Sequence, residues 1–165
     1  MSPNIGIPDK DRASVVKILN ALLADEYVLY TKTRNYHWNV VGRQFNDLHK
    51  FFAAQYEEID DVIDEVAERA RALGGHAVAT LVEFQEAARL KEHPGQYPGA
   101  DEMLDNLLTD HETIIRELRA DGDAAASKYH DAGTNDFLIG LMEKHEKMAW
   151  MLRAFLEGKT PARSR

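Results

Sequence analysis

The chain has 165 residues, 44% of them hydrophobic and 29% charged, a balance ordinary for a folded globular protein and long enough to bury a real core as one domain. Its formal charge of −8 opposes attraction of nucleic acid to the folded body and favours cations as partners. It has no cysteine, which excludes a disulfide framework, thiolate metal ligation and a cysteine nucleophile, and which suits a reducing cytoplasm.

Met1 to Asp9 is polar, contains Pro3 and Pro8 and lacks the apolar stretch of a signal peptide. No run approaches the ~18 apolar residues of a membrane span, so no membrane partner is expected. A first helix is predicted over about 11–40, with Val15, Ile18, Leu19, Leu22, Leu23 and Leu29 at three- and four-residue spacing. A second runs over 46–73, with Asn46 as the expected N-cap and Gly74-Gly75 as the stop. Thr80-Leu81-Val82-Glu83 is a capping box opening a short helix over 80–88. After a Pro/Gly loop, a third long helix is predicted over 100–129, weakened near Asp121-Gly122-Asp123, and a fourth over 134–157, capped by Thr134 and ended by Gly158. Residues 1–10 and 159–165 are left as tails. There is no strand pattern and no repeat. Two short connections make each sequential pair of long helices antiparallel, and the linker of some 25 residues between pairs can cross the bundle end to end. The fold expected is all-α, a single four-helix domain over 1–165 with a long crossover carrying a short helix, the arrangement of ferritin-like bundles, against an up-down bundle with a decorated long loop.

Four residues carry the chemistry: His37, His49, Asp64 and Glu68. His37 closes the first helix and His49 opens the second, so an antiparallel pair brings the imidazoles together. Asp64 and Glu68 sit one turn apart on that second helix, but His49 to Asp64 spans roughly 22 Å at ~1.5 Å per residue. No metal site bridges that distance. If the pairs belong together, the carboxylates come from a second subunit, with the second helix packed antiparallel on its own copy about a dyad near Tyr56 and Glu57. Taken singly, each residue has a plainer reading: a packed histidine beside aromatics, a surface histidine, a solvated acidic face. Imidazole with carboxylate suits iron, zinc or manganese, and ligand type alone does not choose among them.

The whole segment is more specific. His37-Trp38-Asn39, Phe45, Leu48-His49, Asp64-Glu65-Val66-Ala67-Glu68-Arg69 and Leu73-Gly74-Gly75 closely resemble the Dps family of mini-ferritins, and the resemblance runs from Asp11 to about Gly158. It implies a ferroxidase: a hollow dodecamer that oxidises Fe(II) at intersubunit sites, with hydrogen peroxide or O2 as oxidant, and stores ferric mineral inside. His37, His49, Asp64 and Glu68 match that family's ferroxidase residues position by position. Iron is then the expected metal, with zinc able to stand in its place. One departure stands out. The family usually has a carboxylate one turn after the second histidine, where this chain has Ala53. One well-held ion with a weak second one is expected, and Glu57, one further turn along, is a further candidate ligand. Trp38 beside the site is read as a packing residue or a quencher of stray oxidising equivalents. Glu57, Asp61 and Glu65 are candidates for mineral nucleation.

The resemblance also implies acidic three-fold pores, for which Asp131 and Asp136 are the candidates, against a plainer role in a turn and a helix N-terminus. The competing function is a nucleoid-associated, DNA-protecting shell in which iron oxidation is secondary. Its basic contacts would be Lys159, Arg163 and Arg165 in the C-terminal tail, multiplied by many copies. A ferritin-type di-iron centre inside one bundle calls for Glu-x-x-His motifs, and none of the seven histidines has Glu three positions earlier. His111, His130 and His145 show no ligand-like spacing to an acidic partner and are read as structural.

Overall fold

A computed structural model describes residues 3–157. Five helices follow in order: α1 (Asp9–Asn39), α2 (Phe45–Ala72), α3 (Leu81–Ala87), α4 (Ala100–Ser127) and α5 (Ala132–Glu157). No strand occurs among the described residues. The predicted end of the last helix at Gly158 and the basic tail lie outside them.

The long helices form a four-cornered bundle in which α1 packs on α2 and α4, α4 on α5, and α2 touches α5. Directions follow from side-chain contacts. Lys32 and Tyr36, late in α1, meet Asp110 and Asn106, early in α4, so those helices are antiparallel. Arg69, late in α2, meets Thr134, at the start of α5. Hence α2 and α4 run the same way, and residues 73–99 must return the length of the bundle: the one-crossover arrangement. Leu19, Leu22, Leu29, Phe52, Ile59, Leu104, Leu107 and Ile114 fill the interior and are essentially inaccessible to water. No described helix is long and apolar enough to cross a membrane.

The crossover is pinned by charge as well as by Phe84 and Leu90. Asp25, buried in α1, accepts from the backbone N–H groups of Arg89 and Leu90 and from the Arg89 side chain at 2.7 Å. Arg89 also pairs with Glu117 and Asp121 on α4. The capping box at Thr80 forms as expected: Thr80 Oγ1 accepts from the Glu83 N–H, and Glu83 accepts in return from the Thr80 and Ala79 N–H groups. The Ala79 N–H, the Thr80 hydroxyl, which donates to the same carboxylate at 2.9 Å, and the Thr80 N–H hold the Glu83 carboxyl below its usual range.

Helix ends follow local chemistry, with two corrections. Gly74, at φ 86°, closes α2 in a Schellman turn, with Gly74 N–H bonded to Arg71 O and Gly75 N–H to Ala70 O. Asn46 does not cap α2. Gly42, at φ 115°, turns the chain early, so the helix begins at Phe45 and Asn46 falls inside its first turn. Thr134 does not cap α5 either; Asp131 does, its carboxylate accepting from both the N–H and the hydroxyl of Thr134 at 2.9 and 2.6 Å. The Asp121-Gly122-Asp123 segment stays helical because Gly122 is buried and its carbonyl receives the Asn135 amide from α5.

Candidate metal centre

The tight α1–α2 connection sets His37 against His49, with ring centroids 3.8 Å apart and planes 21° from parallel. Each holds the other's backbone: His37 Nδ1–H donates to the carbonyl of His49 at 2.7 Å, and His49 Nδ1–H donates to the carbonyl of His37 at 2.9 Å. A carbonyl only accepts, so both Nδ1 atoms carry the proton in the neutral rings and both Nε2 atoms carry lone pairs. This backbone hydrogen bonding is how metal-ligating imidazoles are commonly oriented. Phe45 stacks on His49 at 5.1 Å, and Tyr56 sets its edge to His37 at 5.3 Å.

Asp64 and Glu68 lie on the exposed face of α2, and among the described residues neither takes part in an ion pair or side-chain hydrogen bond. One chain does not bring them to the histidines. Helix α2 runs unbroken through both positions, which leaves Asp64 roughly 22 Å from His49. Among the described residues no three of His, Asp and Glu already form a group that could hold a metal. Each half-site is open, and the surface beside the histidines is apolar: Trp38 is 65% exposed, Val41 76% and Phe45 47%.

The remaining candidates separate. Ala53 and Glu57 lie on α2 beyond His49, Glu57 exposed, as is Asp61. Glu65 is occupied by Lys144 at 3.0 Å. Asp136 is exposed near the start of α5. Asp131 departs from the pore expectation: it is 2% exposed, caps α5 and pairs with Arg69 at 3.1 Å. Asp131→Ala is expected to cost about 2–4 kcal/mol, a lost cap plus a charged hydrogen bond, and a urea melt will read it.

A second polar constellation escaped the sequence reading. Glu26 of α1, His111 of α4 and His145 of α5 are all fully buried. His145 Nε2 lies 2.9 Å from Glu26 Oε1, although neither atom makes an aligned hydrogen bond, and the Nδ1 atoms of His111 and His145 are 2.9 Å apart. Burial, with His145 beside it, pushes the His111 imidazolium well below the usual histidine range. Spacing could not reveal this set, because Glu26 and His145 are 119 positions apart and meet only in the folded bundle.

The ferritin-like domain family matches residues 16–159. The chain is 49% identical over 156 residues to a low temperature-induced protein of Nostoc sp., covering 94% of this chain and 87% of that one. It is 42% identical over 142 residues to DNA protection during starvation protein 2 of Bacillus anthracis, covering 86% and 96%. Among solved structures, Dps from Thermosynechococcus elongatus superposes with a TM-score of 0.86 at 32% identity, covering 94% and 98%. The fold and these likenesses define a ferritin-like helical protein. Within that class the chain belongs to the Dps family.

Proposed function

We propose that this protein oxidises Fe(II) with hydrogen peroxide or O2 at sites shared between two subunits, and stores the ferric product inside a hollow dodecamer. The observation that carries the reading is the imidazole pair. Two histidines, each with Nδ1 held by the other's backbone carbonyl, keep Nε2 for a metal on a surface edged with exposed apolar side chains. Asp64 and Glu68 of a two-fold mate would complete the shell, and both carboxylates, unpaired among the described residues, suit that role. A solved Dps of Vibrio cholerae is described as a member of the ferritin-like diiron-carboxylate proteins, which supports iron over zinc as the working metal.

Iron is the substrate. Two Fe(II) ions, one peroxide and two protons give two Fe(III) ions and two waters, so no oxygen radical leaves the site when both electrons arrive together. The chain supplies anionic oxygen ligands that favour Fe(III), imidazoles that keep one orientation, and an apolar wall against solvent. Asp136 is the remaining candidate for attracting Fe(II) to a three-fold channel, so Asp136→Asn should slow iron uptake at unchanged stability, in contrast to Asp131→Ala.

Anaerobic Fe(II) titration of the purified assembly followed by peroxide tests the proposal. Stoichiometric ferric product without hydroxyl radical is expected, and titration without saturable binding would sink the reading. Ala53 makes a sharper forecast: about one tightly bound Fe(II) per site, rising to two in Ala53→Asp, by calorimetry. The DNA-protecting alternative has relatives' names behind it. Its basic residues Lys159, Arg163 and Arg165 lie outside the described residues, and the −8 charge of the chain works against it.

A further inference from the structure

Cleaving peroxide to water takes two electrons, and a single Fe(II) supplies one. With Ala53 in place of a carboxylate, a site holding one ion must find the other electron elsewhere or release hydroxyl radical. We infer that Tyr56 is the second electron donor, and that Tyr30 and Tyr27 carry the resulting electron hole away from the metal toward the surface. The inference rests on the function proposed above and deepens it.

The donor is placed for the task. The Tyr56 ring stands edge-on to the His37 imidazole, 5.3 Å between centroids at 78°. Tyr30 follows at 6.0 Å and Tyr27 at 6.5 Å, and Tyr27 stacks on Phe84 at 3.9 Å. The series is continuous, with each ring in contact with the next. Trp38 is worse placed. It is 65% exposed, and among the described residues it touches the guanidinium of Arg34 rather than the His37 ring.

Arg34 gives the series a direction. Its guanidinium carbon lies 4.7 Å from the Tyr56 ring centroid and 5.5 Å from that of Tyr30, and it donates to the Tyr30 hydroxyl at 2.6 Å. A fixed positive charge beside a ring disfavours removing an electron from it. Among the described residues no cation stacks on the Tyr27 ring, so the hole gains by moving there. Tyr27 is partly exposed and, with Phe84, Thr31 and Glu92, lines a surface depression of about 250 Å³.

The step balances. Fe(II) gives one electron and becomes Fe(III), and Tyr56 gives one electron and its phenolic proton and becomes a neutral tyrosyl radical. The O–O bond breaks, and with one further proton from solvent both oxygens leave as water. Nothing diffusible and oxidising is released.

The test uses the full-length assembly, loaded anaerobically with one Fe(II) per site, mixed with one equivalent of peroxide and frozen within a second. An electron paramagnetic resonance signal that narrows when ring-deuterated tyrosine is incorporated is expected. Tyr56→Phe should abolish it and raise spin-trapped hydroxyl radical several-fold per ferric ion formed, with circular dichroism and assembly size checked for folding. Tyr27→Phe should keep a tyrosyl signal with a changed hyperfine pattern, because the hole stops at Tyr30. Tyr97→Phe, on the exposed crossover loop, should behave as wild type. An unchanged tyrosyl signal in Tyr56→Phe, or no tyrosyl signal in wild type beside normal ferric product, overturns the donor; a Tyr27→Phe signal identical to wild type overturns the relay. Absence of ferric product in wild type would instead remove the function on which the inference stands.

Discussion

Mixing His37→Ala and Asp64→Ala subunits restores about one quarter of wild-type Fe(II) oxidation, although shells of either variant alone are inactive. The fraction follows from two-fold symmetry. Random pairing makes half of all dimers heterologous. Each of those holds one site with both mutations and one with neither, since the intact site takes its histidines from the Asp64→Ala chain and its carboxylates from the His37→Ala chain. Half of one half is a quarter. Stopped-flow ferric absorbance after co-refolding will read it, with mass-tagged subunits to prove exchange. A mixture that exchanges fully and stays inactive means that no chain lends ligands to another.

Acidification should loosen the bundle core through His111. The group is fully buried and its folded-state pKa is held well below the usual 6.5, by burial first and by His145 second. The unfolded chain therefore binds this proton when the folded one does not. Stability is fully present above pH 6.5 and falls as the pH drops below it, by up to about 1.4 kcal/mol per pH unit until the folded group itself titrates. Asp110 and Asp121 act with the opposite sign. Burial raises both above 3.8, so the stability they add at low pH is lost as pH rises through those raised values. Comparing urea midpoints of wild type and His111→Leu between pH 5 and 8 isolates the histidine. The variant is less stable at pH 8, because His145 Nδ1 loses its partner, but its profile below pH 6.5 is flatter. Parallel profiles would mean that His111 carries no proton linkage.

Much of the architecture is written in short-range signals. Three- and four-residue spacing marks the four long helices, and turn chemistry ends α2 at Gly74 and starts α3 at Thr80, because a cap or Schellman turn involves only neighbours within one helical turn. Two caps differ from the sequence expectation through groups that are equally local, within about one turn of the expected residue. Gly42 turned the chain before Asn46, and Asp131 took the role given to Thr134. The meeting of His37 and His49 was legible because the α1–α2 connection is too short for any arrangement but antiparallel neighbours.

The sequence alone determined the helical class, a linker long enough for a crossover and the inability of one straight helix to bring His49 and Asp64 to one ion, since periodicity, loop length and helix rise are local quantities. The contacts of Lys32 with Asp110 and of Arg69 with Thr134 decided that the linker does cross. Only the tertiary structure decided that the two histidines orient each other through their backbones, that Asp131 is buried as a cap, and that Glu26, His111 and His145 meet in the core. It also decided that Tyr56, rather than Trp38, touches His37. Each of these depends on which helix faces receive one another, and packing between residues far apart in the chain settles that.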